Sequence, residues 1–345
     1  MTNERYSSID QLRFIAAITV ALSHLFISNI GSSLRLEIIS SVAVEVFFII
    51  SGFVLAPQIL RIAQNSKLSD YKIFLIRRWY RTIPLYLLSL LLTSIILNKI
   101  FTFDFIKYMF FIQNILEISV NVDYFSISWS LSVEEWFYVV FPLFLILTLM
   151  IQKNPKKNQI IFSTIIFILL IFFFRIFFLD DENWGSSIRR VVLFRLDSIA
   201  FGFLLYFLKD KIKPLISNQL YLFVAFIFFS IFIFKIMEIN SSQNISFFKI
   251  IFHFAVAIWG SSVVLIFYLL DKKLKNAFYI KLNLFLGRIS YSTYLFHLVI
   301  IYLITPLNFS IGLSVSIFIL LQLTISWTLY YFFEEPILKL RPNYN

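Results

Sequence analysis

Long apolar runs recur along the whole chain, and they constrain the fold more than any other feature of this sequence. Hydrophobic residues make up 60% of the 345 residues, and charged residues only 14%. A soluble domain carries about 25% charged residues, whereas a run of about 20 apolar residues spans the hydrocarbon core of a bilayer. We therefore predict an all-α integral membrane protein, a polytopic bundle of about ten transmembrane helices.

The predicted spans cover most of the chain, with ends defined to within about 2–4 residues. They are 14–31, 39–59, 83–99, 130–151, 159–179, 190–208, 218–236, 248–270, 284–305 and 311–333. The stretch 105–120 is also apolar, but it is shorter and contains Lys107, Gln113, Asn114 and Glu117. We interpret it as re-entrant or as lying on the membrane surface.

Loop charges give the predicted orientation. If 105–120 does not span, the loops rich in Lys and Arg share one side of the membrane, and they are 60–82, 153–157, 209–213 and 271–281. The positive-inside rule makes that side cytoplasmic and places both termini there. The net charge of +11 is then explained by these loops, and we expect no nucleic-acid partner. The acidic segments 180–182 and 238–246 fall outside.

The residue inventory excludes several kinds of site. The chain has no cysteine and three histidines, which excludes disulfides and a cysteine nucleophile, and we expect no metal. Arg13 lies at the start of a long apolar segment with no small-residue cleavage site after it, which argues against a cleavable signal peptide. We therefore expect residues 1–345 to form a single transmembrane domain with no appended soluble domain.

Ionisable residues inside the spans are candidates for function, because each costs at least about 2.5–3.5 kcal/mol near the bilayer centre. In the first span Arg13 and His24 are eleven residues apart and share one helix face. They lie about 16–17 Å apart along the axis, with His24 about midway through the membrane. His24 is either a structural histidine or a general base, and Asp10 is placed to hold Arg13.

The next two spans carry further charges. Glu45 is surrounded by apolar residues in the second span, where either structural pairing or chemistry would explain it. Arg77, Arg78 and Arg81 precede Pro84 at the start of the third span. On spacing alone they are typical of a positive-inside anchor, although three guanidiniums could also clamp a phosphate.

Trp129 immediately precedes the fourth span, which contains an acidic pair, Glu134 and Glu135. Ser130, Glu134 and Tyr138 share a helix face because they are four residues apart. Adjacent carboxylates at membrane depth are hard to explain as packing. One of them could orient a histidine or bind a sugar hydroxyl.

Two later spans complete the set. Arg195 shares a face with Gly202 in the sixth span, where glycine permits close approach of another helix. Ser290, Tyr294 and His297 form one stripe on the ninth span.

Depth along the spans then orders these groups. Glu134, Arg195 and His297 belong to the outer half, and His24 lies just below them. We interpret His253, which lacks such neighbours, as structural.

Together these residues resemble the membrane-bound acyltransferase family 3, the O-acyltransferases that modify bacterial surface polysaccharides. Arg13 and His24 reproduce the family's signature of an arginine, ten residues and a histidine. Similar motifs follow in order at 44–53, 77–84, 129–138, 195–202, 287–297 and 335–336. The match covers most of the chain and is specific for the family but not for a substrate.

The resemblance implies an O-acetyltransferase of the bacterial inner (cytoplasmic) membrane. The donor would be acetyl-CoA or another acyl-CoA that enters from the cytoplasm. The acceptor would be a hydroxyl of a cell-surface or exported polysaccharide or glycolipid, such as lipopolysaccharide O-antigen. Many relatives carry an appended extracytoplasmic domain that passes the acyl group on, so a separate protein could serve as partner here.

On this basis we assign provisional roles. Arg13, Arg77, Arg78 and Arg81 would hold the phosphates of coenzyme A, and the thioester would lie near His24. His24 would either remove the acceptor's proton or take the acyl group itself. Glu134 or Glu135 would orient His24 or bind the acceptor. The rest of the pocket would be formed by Glu45, Trp129, Ser130, Tyr138, Arg195, Tyr294 and His297.

Two other functions use the same residue types. A transporter or lipid flippase also places Arg, Glu and His at membrane depth, as a substrate or proton path. Inverted repeats would favour that function, and the sequence shows none. A regulatory membrane protein could keep the fold without activity, but Arg13 and His24 are both present, which argues against it.

Overall fold

The computed structural model describes residues 5–65, 67–116, 124–149, 156–178, 188–215, 227, 230–231, 235, 246–271 and 276–343. Within these ranges the regular structure is helical and there is no β-strand. The helices are α1 Ser7–Ile30, α2 Leu34–Asn65, α3 Leu68–Ile96, α4 Phe103–Met109, α5 Ser128–Leu149, α6 Lys157–Phe177, α7 Leu196–Leu215, α8 Ser246–Asp271, α9 Ala277–Ile304, α10 Ile311–Leu329 and α11 Glu335–Lys339. A π-helical turn, Tyr330–Glu334, joins α10 to α11.

Eight helices of the described ranges are long and apolar enough to cross a membrane, which confirms an all-α polytopic membrane protein. They are α1, α2, α3, α5, α6, α8, α9 and α10 with its continuation to Lys339. The predicted span 190–208 corresponds to α7. The predicted span 218–236 lies outside the described residues except at four positions, and so do most of the loops at 153–157, 180–182 and 238–246.

The predicted loop 60–82 is helical almost throughout, which corrects the start of the third span. Helix α2 continues to Asn65 and α3 begins at Leu68, fifteen residues before the predicted start. Arginine and lysine lower the hydropathy of this segment, but they are good helix formers. Arg77, Arg78 and Arg81 therefore lie inside a helix about 43 Å long rather than before its first turn.

The stretch 105–120 forms no spanning helix in its described part. Helix α4 has seven residues, about 10 Å of helix, and turns follow as far as Leu116. The side chain of Thr102 caps α4 by accepting a hydrogen bond from the backbone N–H of Phe105.

The described residues divide into two compact units. The first comprises Met1–Phe47, Tyr80–Ile100 and Val263–Arg341, and the second comprises Phe48–Trp79, Phe101–Ser262 and Pro342–Asn345. In the first unit α1 packs against α9, and α9 packs against α10. The α1 face in this packing is rich in small residues, including the buried Ala16, Ala17 and Ala21, which permit close approach between helices.

A polar seam joins α9 to α10 inside the first unit. The amide Nε2 of Gln322 donates to the carbonyl oxygen of Thr293 at 3.2 Å and to Ser326 Oγ at 3.0 Å. The hydroxyl of Thr293 also donates to Ser326 Oγ at 3.1 Å. All three side chains are fully buried, so the seam satisfies polar groups that lipid could not.

In the second unit α5, α6 and α7 pack together through aromatic side chains. Phe141 contacts Phe137, Phe167 and Phe203, with ring centroids 4.7, 5.0 and 5.1 Å away. Phe141, Phe137 and Phe203 are fully buried and Phe167 nearly so. The Phe-rich composition thus supplies an aromatic core, in which rings meet mostly edge to face.

A reciprocal glycine contact holds α2 against α7 in the second unit. A Cβ at Gly52 would overlap the backbone oxygen of Ile199, and a Cβ at Gly202 would overlap the backbone oxygen of Ile49. The two helices approach this closely because neither glycine has a side chain. The expectation that Gly202 permits close approach of another helix is thereby confirmed.

Candidate active site

Two histidines meet in the first unit. Nδ1 of His24, on α1, lies 2.8 Å from Nε2 of His297, on α9. The two rings are nearly parallel, with centroids 5.1 Å apart and an angle of 6° between their planes. The predicted depth order, with His24 just below His297, is compatible with this contact and stays a prediction.

The backbone around His297 determines where the protons lie in this pair. Nδ1 of His297 is 2.6 Å from the carbonyl oxygen of Tyr294, and a carbonyl can only accept. His297 therefore carries its proton on Nδ1, and in the neutral ring Nε2 is an acceptor. His24 must then donate from Nδ1, which leaves the lone pair of neutral His24 on Nε2.

The two histidines differ in exposure. His297 is fully buried, whereas His24 is half-buried. The edge of the Tyr294 ring contacts His297, with centroids 5.9 Å apart, and Phe47 contacts Tyr294 in turn at 5.5 Å. His24 is therefore the more accessible member of the pair, and His297 is the one enclosed by aromatic side chains.

The N-terminal part of α1 holds Arg13 in place. Asp10 accepts a hydrogen bond from Arg5 at 2.6 Å and lies 3.7 Å from a guanidinium nitrogen of Arg13, as the spacing predicted. The Asp10 side chain fits against α9 because position 287 is glycine, where a Cβ would overlap it. The side chain of Arg13 keeps 22% of its surface exposed.

Asp271, the last residue of α8, caps α1. One of its carboxylate oxygens accepts from the hydroxyl of Ser7 at 2.8 Å and from the backbone N–H of Ser8 at 2.7 Å. The residue before α1, Tyr6, supplies no side-chain cap of its own. A carboxylate is favourable at a helix N-terminus because the first N–H groups lack intrahelical acceptors.

A second polar cluster, in the second unit, surrounds Glu134 on α5. The hydroxyl of Ser51 donates to Oε1 of Glu134 at 2.7 Å, and the hydroxyl of Tyr138 donates to the same oxygen. Arg78 donates to the Tyr138 hydroxyl at 3.2 Å and lies over its ring, 4.9 Å from the centroid. Of the three residues predicted to share a helix face, Ser130, Glu134 and Tyr138, the last two are in contact.

The three arginines of α3 have different partners. Arg77 donates to the backbone oxygen of Pro342, and Arg78 donates to Tyr138. Arg81 lies 3.6 Å from Glu334, whose carboxylate also accepts from Ser292. All three are half-buried. A shared phosphate clamp stays a prediction.

Arg195 and His253 form a buried pair in the second unit. Both side chains are 0–1% exposed, and Arg195 donates to Nδ1 of His253. Arg195 caps the short 3-10 turn before α7 rather than lying inside a helix. His253 therefore has a charged neighbour, contrary to the sequence interpretation, and its structural role stays a prediction.

Arg175 is a charged residue that the sequence interpretation missed. It is fully buried, lies 2.6 Å from Asp197, and donates twice to the carbonyl oxygen of Phe194. Its position inside the predicted span 159–179 was a signal that could have identified it, because an arginine within an apolar run needs an anionic partner.

The other candidate residues are buried to different extents. Glu45 is 1% exposed and Glu135 is 7% exposed. Ser130 is buried and donates to the carbonyl oxygen of Ile127, the residue before α5. Trp129 contacts Phe48 edge to face, with centroids 6.1 Å apart. Among the described residues no group of three or more His, Cys, Asp or Glu side chains is placed to hold a metal.

Comparison with known proteins supports the resemblance. The family model described as "Acyltransferase domain" matches residues 6–333. The peptidoglycan O-acetyltransferase OatA of Listeria monocytogenes is 30% identical over an alignment of 167 residues, and the match covers 43% of this chain and 25% of that protein. The O-acetyltransferase OatA of Staphylococcus aureus is 29% identical over an alignment of 174 residues, and the match covers 46% of this chain and 27% of that protein.

These matches extend over about a quarter of the length of each of the two relatives. No solved structure matches the chain. The family match, by contrast, covers nearly the whole sequence, from before Arg13 to beyond His297. The helices that carry Arg13, His24, Glu134 and His297 are therefore all part of the matched region, and the chain belongs to this acyltransferase family of polytopic membrane proteins.

Proposed function

We propose that this protein is an O-acyltransferase that moves an acyl group, most simply acetyl, from cytoplasmic acyl-CoA to a hydroxyl of a cell-surface polysaccharide or glycolipid. Family membership supports the reaction class. The names of the two relatives support acetyl as the acyl group, and the Listeria protein's name supports a cell-wall glycan among the acceptors. A multi-pass position in the bacterial inner membrane suits a donor and an acceptor on opposite sides.

The observation that carries the proposal is the His24–His297 pair. The hydrogen bond of 2.8 Å between them and the carbonyl of Tyr294 behind them place the lone pair of neutral His24 on Nε2. A base held in one tautomer by a second group is the arrangement that activates hydroxyl nucleophiles in acyl transfer. His24 is half-buried, and we expect both substrates to approach its exposed part.

In the proposed step one proton moves from the acceptor to His24 and then to coenzyme A. Nε2 of His24 removes the proton of the acceptor hydroxyl while that oxygen bonds to the acyl carbon of the thioester. The carbon–sulfur bond then breaks, and the sulfur of coenzyme A takes the proton back from His24. The Nε2 lone pair of His297 accepts from His24 throughout, which stabilises the cationic imidazolium that forms between the two events.

We assign binding of the donor, acyl-CoA, to three arginines. A guanidinium has five N–H donors, so Arg13, Arg77 and Arg81 can each keep their protein partner and still bind a phosphate oxygen of coenzyme A. Two further partners follow from this function. Membrane lipids surround the bundle. A separate extracytoplasmic protein is a candidate for passing the acyl group on.

Proteoliposomes containing the purified protein test the function directly. Wild-type protein should release coenzyme A thiol from acetyl-CoA when a glycan acceptor is present, and His24→Ala should lower that rate by about 10²–10⁴-fold. Thr19→Ala, on the same helix, removes a hydroxyl that bonds only to the backbone oxygen of Ile15 among the described residues and should leave the rate unchanged.

The same vesicles separate the proposal from transport. Solute or lipid flux without thiol release would overturn the acyltransferase proposal in favour of a transporter or flippase. Mass spectrometry of surface glycans from a deletion strain identifies the acceptor, because the missing acyl ester marks the modified hydroxyl. Full thiol release by a folded His24→Ala variant would remove His24 from the mechanism.

A further inference from the structure

Glu134 is the end point of a directional chain of hydrogen bonds in the second unit. Arg78 donates to the hydroxyl oxygen of Tyr138 at 3.2 Å, and Tyr138 donates its proton to Oε1 of Glu134. Ser51 donates to the same oxygen at 2.7 Å. Tyr138 is fully buried, so its hydroxyl is oriented by its two partners and not by water.

The two carboxylate oxygens of Glu134 are therefore different. Both hydrogen bonds that described residues donate to this side chain end on Oε1. Oε2 keeps its lone pairs for a further donor, and Glu134 is half-buried. The neighbouring carboxylate, Glu135, is 7% exposed, so Glu134 is the member of the acidic pair that a ligand can reach.

The chemistry of this oxygen selects one substrate over the other. An anionic carboxylate repels the phosphates of coenzyme A, at about 1–4 kcal/mol for two unit charges 4 Å apart, but it accepts readily from a sugar hydroxyl. Arg78 is engaged with Tyr138 by both a hydrogen bond and a cation–π contact of 4.9 Å. Both contacts place the Arg78 guanidinium against the Tyr138–Glu134 pair, so its positive charge stabilises that carboxylate.

We infer that Oε2 of Glu134 binds a hydroxyl of the glycan acceptor, and that Arg78, Tyr138 and Ser51 are positioning residues for that carboxylate. This inference rests on the proposed function and assigns its residues to either the donor or the acceptor. Arg78 leaves the set of donor-phosphate ligands and joins the acceptor side, whereas Arg13, Arg77 and Arg81 stay with the donor.

Two measurements on the full-length protein separate the roles. Isothermal titration with coenzyme A alone reports the donor site, and acyl-ester content of surface glycans in a complemented deletion strain reports acceptor use. Tyr138→Phe, Arg78→Lys and Glu134→Gln should each bind coenzyme A within about twofold of wild type. Each should lower the ester content by about tenfold, the effect of losing one hydrogen bond to a charged group.

Non-additivity distinguishes a positioning role from general damage. Because Arg78 acts through Tyr138, the double variant of Arg78→Lys and Tyr138→Phe should lose no more ester than Tyr138→Phe alone. If the ester losses of the two single variants multiply in the double variant, Arg78 does not act through Tyr138 and its positioning role is wrong. Thermal unfolding of each purified variant, with Lys72→Arg on the exposed surface of α3 as the matched control, shows whether the fold is kept.

Two results would overturn the inference while leaving the function intact. One is a tenfold loss of coenzyme A affinity in Arg78→Lys, which would return Arg78 to the phosphate ligands. The other is unchanged ester content in Glu134→Gln. A wild-type protein that neither binds coenzyme A nor restores esters to the deletion strain would instead overturn the proposed function itself.

Discussion

His24 and His297 share a hydrogen bond of 2.8 Å although 273 residues separate them in the chain. When both rings are neutral, the Tyr294 carbonyl leaves one assignment of protons, with His24 as donor and His297 as acceptor. A half-buried histidine supported by a buried one is an asymmetric pair. We therefore treat His24 as the group that meets substrate and His297 as its positioning residue.

The first prediction concerns His297. Replacing it by Ala removes the acceptor for His24 Nδ1, so we expect a fall in kcat of about tenfold or more with little change in the KM for acetyl-CoA. His297→Gln retains a carbonyl oxygen that can accept from His24 and should recover part of the rate. Thiol release from acetyl-CoA measures both constants, and a His297→Ala variant with wild-type kcat would contradict the assignment.

The second prediction concerns the glycine contact between α2 and α7. Gly52→Ala and Gly202→Ala each place a methyl group against facing backbone, and overpacking of this kind destabilises by about 1–3 kcal/mol. Thermal unfolding in detergent should show a lower midpoint for both. Gly312→Ala is the control, because a Cβ there meets nothing within 4 Å, and it should keep the wild-type midpoint or exceed it.

The third prediction concerns the buried ion pair of Arg175 and Asp197. Asp197→Asn removes the negative charge but leaves Arg175 fully buried. Breaking such a pair costs about 3–5 kcal/mol because one charge is left without compensation. The exposed pair of Lys339 and Glu335, 3.3 Å apart, is the control, and Lys339→Ala should change stability by about 0.5 kcal/mol or less. Equal effects at the two pairs would contradict this prediction.

The fourth prediction concerns the capping of α1 by Asp271. Asp271→Ala removes both the Ser7 and the Ser8 interactions and should destabilise by about 0.5–2 kcal/mol. Ser7→Ala should have a smaller effect, because the backbone N–H of Ser8 keeps its acceptor. Unfolding midpoints of the two single variants and their combination test this order. A larger loss from Ser7→Ala than from Asp271→Ala would be inconsistent with capping.

Local sequence patterns predicted the fold class well. Eight of the ten predicted runs correspond to helices of the described ranges that are long and apolar enough to span, and the i, i+4 spacing of Glu134 and Tyr138 became a hydrogen bond. The same hydropathy reasoning placed the start of α3 too late, because charged residues interrupt an apolar run without interrupting a helix. It also passed over Arg175, whose partner Asp197 follows 22 residues later.

The sequence by itself determined which side chains lie on which helix face, since 3.6 residues per turn fix that geometry. It therefore placed Arg13 and His24 on one helix face and identified Glu134 and Glu135 as candidate functional residues. The tertiary structure alone decided that His24 meets His297, which of the two glutamates is accessible, and which partner each arginine of α3 takes. Those pairings depend on the rotation and axial shift of one helix against another, and close contacts such as those at Gly52 and Gly287 set them between residues far apart in the chain.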